Sequence, residues 1–269
     1  MKHNPGIGPT DELCLRVSVA TLARVIFKHP SIDEWILALE RKATLRGDKV
    51  EVKSQPFGGA IRILDVDAIY DLIGDFHFDN ERSCDEQDFR LFIRPSSWSL
   101  IRKFCIQHLS KIDDPILETD PSRELNEEFY DALKINLHPE QFVSNSVATV
   151  VENQAVATDN FYARGAPTVR VYRIYEVTIS DTSLVHVMIT NSESNSDQIL
   201  CELALKDLQN GGKGRHNAIL ALPLKQVVDF YSVLPLQERK APILFEKNRL
   251  DETVPVVFEN IIIPKYHRL

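Results

Sequence analysis

At 269 residues, 43% hydrophobic and 26% charged, the chain has the composition of a folded protein with a sizeable core, which excludes a disordered segment. Its net charge of −8 disfavours a nucleic-acid surface, and no run approaches the roughly 20 apolar residues of a membrane span. Cys14, Cys84, Cys105 and Cys201 form neither a C-x-x-C pair nor a zinc spacing; they read as free, mostly buried thiols of a cytoplasmic protein, with no signal peptide expected.

Along the chain, the Pro- and Gly-rich start to about Thr10 reads as an arm. Residues 13–27 fit either strand or helix, and their length favours helix. Ser31 and Glu34 have the spacing of a capping box, which predicts a helix to about Leu45 with Trp35, Ile36, Leu39 and Ala43 facing the core. Residues 50–53 alternate as a short strand, Gly58-Gly59 interrupts it, and residues 60–64 resume it. A short helix is expected over 67–73. Residues 88–94 alternate strictly and stop at Pro95, as a half-buried strand does; a helix over 98–109 follows. Asp113-Asp114-Pro115 reads as a loop. Strands are expected over 147–152, 168–178, 184–190 and 218–222, and helices over 199–208 and 224–233. The tail holds a strand-like run over 254–263 and a polar end, Lys265 to Arg268. Interleaved helices with many short, hairpin-like strands imply an α+β fold with a mixed sheet.

One stretch carries chemistry. Pro121 suits a first helical turn, and Thr119 or Asp120 can cap it. The helix then spans about 122–133, with Leu125, Phe129, Ala132 and Leu133 inward. Glu124, Glu127 and Glu128 fall at i, i+3 and i+4, away from that apolar stripe, toward solvent or a cleft. Hard oxygens at this spacing suit Mg²⁺ or Mn²⁺. A solvated acidic first turn, favoured by the helix dipole, reads the same residues without a metal.

Arg123-Glu124-Leu125-Asn126-Glu127-Glu128 resembles the second half of the Nudix box, the metal-binding helix of Nudix hydrolases. The Arg-Glu-aliphatic-x-Glu-Glu core matches in full. The box's closing Gly and aliphatic positions hold Tyr130 and Asp131, and its first Glu and opening Gly fall on Pro115 and Leu109. Gly58-Gly59, within Phe57-Gly58-Gly59-Ala60-Ile61, is similar to the family's glycine-bearing strand but lies far upstream. The resemblance therefore implies one elaborated domain over 1–269: a Nudix-like core at about 50–64 and 113–245, an insertion at about 65–112, and elaborated termini. It implies a Mg²⁺- or Mn²⁺-dependent hydrolase of a nucleoside diphosphate linked to another moiety. Glu124, Glu127 and Glu128 would hold the metal, with Glu127, Glu128 and Arg123 catalytic. The degraded box leaves a second reading, a catalytically inactive Nudix-like module that binds a nucleotide or a protein. Glu118 sits at the wrong spacing to stand for the missing glutamate.

Other runs are secondary. The glycines of Asn210-Gly211-Gly212-Lys213-Gly214-Arg215 allow an anion-binding nest, with Lys213 and Arg215 adding charge, or else a turn that ends a helix. Arg170 and Tyr172 share one strand face and could grip a phosphate and stack a base, or simply face solvent. His77, Asp79 and Glu81 alternate as chance often produces. The expected partner is a nucleotide-type small molecule, with neither membrane nor nucleic acid, and a homodimer is left open.

Overall fold

Leu15–Lys28 (β1) is a strand and not a helix. It lies inside a sheet and is buried along most of its length, and even its polar residues Arg16, Thr21 and Arg24 are buried, so it lacks the exposed polar face of a half-buried strand. The computed structural model describes residues 13–158, 160–223 and 256–258. Within them the chain is α+β, with helices set against a nine-stranded sheet.

Trp35–Arg46 (β2) is likewise a strand where the spacing predicts a helix. Ile36 and Ala38 enter one apolar cluster while Leu37 and Leu39 enter another, so both faces are buried and the helical spacing is fortuitous. Trp35, expected in the core, is 42% exposed. Ser31 and Glu34 lie in the connection between β1 and β2, where the Glu34 carbonyl accepts from His29 N–H. Lys49–Gln55 (β3) completes a hairpin with β2. Residues 57–61 then cross the middle of β1, with Thr21 N–H donating to the Gly59 carbonyl (2.9 Å) and Ile61 N–H to that of Val19 (3.1 Å).

The segment expected as an insertion follows as α1 (Val66–Ile73), β4 (His77–Phe78), α2 (Glu81–Asp85), β5 (Arg90–Ile93) and α3 (Trp98–His108). It is no separate body. Strand β5 pairs with the first residues of β1, and Ile69, Ile101 and Phe104 pack on Val17 and Val19. Then come α4 (Ser122–Leu133), β6 (Phe142–Ala157), β7 (Pro167–Ile179), α5 (Thr182–Ser194), α6 (Asp197–Gln209), β8 (Arg215–Pro223) and β9 (Val256–Phe258). Among the described strands β1 and β7 form the one parallel pair, in continuous register from Arg16↔Thr168 to Phe27↔Ile179.

The expected strand over 184–190 lies inside α5. Asp181 caps that helix, its Oδ1 accepting from Leu184 N–H at 2.7 Å, and Leu184, Val185 and Met188 bury one side. The expected helix over 224–233, most of the run over 254–263 and the polar end lie outside the described residues. Of the cysteines, all free, only Cys105 is buried; Cys14 and Cys84 are exposed. Among the described residues no helix is long and apolar enough to cross a membrane.

Candidate functional site

Helix α4 forms where its sequence places it. Asp120 Oδ1 accepts from Ser122 N–H (2.7 Å), and Lys134, at φ 60°, ends the helix in the left-handed region. Leu125, Phe129 and Ala132 are buried against Ala23, Val25, Phe57 and Val177. The Phe57 and Phe129 rings lie 5.0 Å apart. That packing sets α4 over the face of β1 that carries Ala23 and Val25.

The glycine pair lies against this helix. Gly58 N–H donates to Glu128 Oε2 at 2.6 Å. Gly58 has φ +139°, which favours glycine, and a Cβ there would overlap the Thr21 carbonyl. A Cβ on Gly59 would overlap the Glu124 carboxylate. Two acidic side chains of α4 thus rest on backbone that only glycine leaves open.

Arg123 ties the acids together. Its Nε donates to Glu118 Oε2 (2.8 Å), Nη1 reaches Glu124 Oε1 (2.6 Å) and Glu127 Oε1 (3.2 Å), and Nη2 donates to the Ala60 carbonyl (3.1 Å). Burial opposes its charge, but Glu124, Glu118 and Glu127 outweigh this and hold its pKa above the ordinary value. Burial raises the pKa of Glu124, and Arg123 only partly offsets this. Glu128 is raised well above the usual carboxylate range, first by burial and then by the charge of Glu40, against the Gly58 hydrogen bond.

Glu40 was not singled out from sequence. It is fully buried on β2, accepting from Gln55 Nε2 (2.9 Å) and Asn217 Nδ2 (2.7 Å) and pairing with Lys42 Nζ (2.8 Å). An acid directly after the apolar run from Ile36 to Leu39 was the available signal. Glu118 meets Arg123 despite its spacing, because residues 118–121 lie outside the helix and only a fold can show where Glu118 points.

The glutamates do not all face one cleft as expected. Glu124 and Glu128 are half-buried against Gly58 and Gly59, while Glu127 is exposed. Among the described residues no three His, Cys, Asp or Glu side chains are gathered as a metal site. The donor chemistry fits Mg²⁺ or Mn²⁺ at Glu124 and Glu128: two half-buried carboxylates, of which Glu124 is paired with Arg123, match an ion that takes one or two carboxylates and completes its shell with water and substrate phosphate.

The remaining residues lie elsewhere. In the 211–215 loop the Asp207 carboxylate already accepts from Gly214 N–H (2.9 Å) and Arg215 N–H (3.2 Å), so the nest holds the protein's own anion. Arg215 pairs with Asp131 of α4 at 2.8 Å, about 10 Å along the helix from Glu124 at 1.5 Å per residue, and Lys213 is exposed. Arg170, on β7, lies on the opposite face of the sheet from α4. Comparison with known protein families, curated proteins and solved structures finds no match to this chain.

Proposed function

We propose that the chain is a Nudix-like, Mg²⁺- or Mn²⁺-dependent hydrolase of a nucleoside diphosphate linked to another moiety. The observation that carries this reading is the docking of Gly58-Gly59 on α4, through Glu128 and beside Glu124. The resemblance asks for glycine-bearing backbone beside the acidic helix, although the two are some sixty residues apart in sequence. The Arg123–Glu118 pair lends further support, since Glu118 supplies the carboxylate that the box lacks at its usual spacing.

In this reading Glu124 and Glu128 hold the metal. When bound, the metal polarises the phosphoryl oxygens and offsets the charge that develops on them. Arg123 orients Glu124 and Glu127. Glu127, exposed on the same helix, would take the proton of the attacking water. The water oxygen bonds to one phosphorus as the bridging P–O bond breaks, leaving two phosphorylated products.

The test is metal-dependent product release from a panel of ADP-ribose, dinucleotides, nucleotide sugars and nucleoside triphosphates. Turnover by the parent should fall at least a hundredfold in Glu128→Gln. A specific observation favours the second reading, an inactive binding module: Arg123 already neutralises Glu124 and Glu127. Nucleotide binding without turnover under any metal would establish that reading in place of the hydrolase.

A further inference from the structure

On the face of the sheet away from α4, Ser18 of β1 is paired with Arg90 of β5 on one side and with Arg170 of β7 on the other. Paired residues project to the same face, and adjacent strands lie about 4.8 Å apart. The two arginines therefore stand about 10 Å apart with only a serine between them. Arg16, two residues earlier on β1, projects the same way. Val17 and Val19 point oppositely, into the core beneath α1 and α3.

Two connections wall this floor. The β2–β3 turn brings Arg46, and the β6–β7 connection brings Arg164 and Asn160. The open cavity between them is about 730 Å³, within the range of small-molecule sites, and five arginines but no Asp or Glu line it.

Carboxylates hold the floor arginines from outside the cavity. Asp79 accepts from Arg16 Nε (2.9 Å) and Nη2 (2.6 Å), and both side chains are buried. Asp88 pairs with Arg90 at 3.1 Å, and Glu152 stands 3.7 Å from Arg170. These acids fix where the guanidiniums point. Arg164 has no ion pair among the described residues and is exposed. Guanidiniums so fixed present N–H forks suited to bidentate contact with phosphate. The lining has no aromatic ring and a single aliphatic side chain, Leu45, so it offers no platform for stacking a base.

We infer that this cavity binds a small molecule carrying two or more phosphate groups, at a site distinct from the acidic helix. The phosphates bridge the arginine pair across Ser18, and Arg46 and Arg164 close on them from the walls. Arg170 is then a ligand-binding residue, but of this cavity.

The test is calorimetric titration of the full chain with sodium tripolyphosphate and, separately, with ATP, each at two salt concentrations. The parent should bind tripolyphosphate, and R164A/R170Q should lose more than tenfold in affinity with its melting temperature retained. The loss should shrink at higher salt as screening removes the parent's advantage. Similar affinities for the two ligands would assign recognition to the phosphate chain alone; tighter ATP binding, still lost in the variant, would assign the site to a nucleotide's phosphates. E124Q/E128Q, titrated with tripolyphosphate in the absence of divalent metal, should bind like the parent, which separates this site from the hydrolase reading. If R164A/R170Q melts early, R46A, at the exposed end of β2, reports on the same cavity. No binding of either ligand, unchanged affinity in the arginine variants, or loss in E124Q/E128Q alone would overturn the inference.

Discussion

At the residue scale the most consequential group is Glu128. Its carboxylate keeps one backbone donor, Gly58 N–H, and, half-buried, faces the charge of Glu40. A folded-state pKa above the unfolded value means that the folded protein holds the proton more tightly. Stability is therefore unaffected below the ordinary value of 4.5 and falls as pH rises from there through the raised folded pKa. Glu128→Gln removes the charge and keeps an oxygen for Gly58. In the absence of metal this variant should melt higher than the parent at neutral pH, and the gap should close toward pH 4. Denaturation across that range checks it; a variant less stable than the parent at pH 7 would show that the charge is compensated in place. The identity of Glu128 was legible in sequence, but its burial was not, because the spacing of α4 cannot say that Gly58 and Glu40 come to meet it.

At the element scale α4 was the most legible part of the chain, with its apolar stripe and its limits as the residues indicate, although Pro121 stands at the N-cap and Asp120, one residue before it, accepts from Ser122 N–H. The reason is that one face packs and the other does not, so the helical period survives in the sequence. β1 and β2 lack that contrast. Buried on both faces, they mix apolar and polar residues on each, so length misleads for β1 and the Ser31–Glu34 spacing for β2. α5 misled in the other direction: Val185, Val187 and Ile189 alternate as in a strand, and the Asp181 cap decides for helix. Phe129 joins α4 to the sheet, fully buried and against Phe57. Phe129→Ala should cost about 3–5 kcal/mol, the range for a buried aromatic truncated to Ala. Urea denaturation at a fixed pH measures it, and a loss under about 1 kcal/mol would mean that the helix does not depend on this contact.

At the scale of the whole molecule, the two candidate sites lie on opposite faces of β1. One gathers acids of α4 and β2 around a glycine pair, and the other gathers arginines from strands and turns distant in sequence. The first was half legible, because its acids are contiguous on one helix. The second was not, because Arg16, Arg90 and Arg170 become neighbours only through the pairing of β5, β1 and β7, and each alone reads as an ordinary strand residue. The segment expected as an insertion belongs to the same architecture, since it supplies β5 and with it Arg90. The central claim is that Glu124 and Glu128 hold a divalent cation beside Gly58-Gly59. Titration with Mn²⁺, followed by loss of the free-ion paramagnetic resonance signal, tests it directly. The parent should bind, and at a hundred times the dissociation constant the ion should stabilise the fold by about 2.7 kcal/mol. E124Q/E128Q should bind at least tenfold more weakly, with Glu127→Gln closer to the parent than to the double variant. Mn²⁺ binding that is absent in the parent, or equal in the parent and E124Q/E128Q, would contradict the claim.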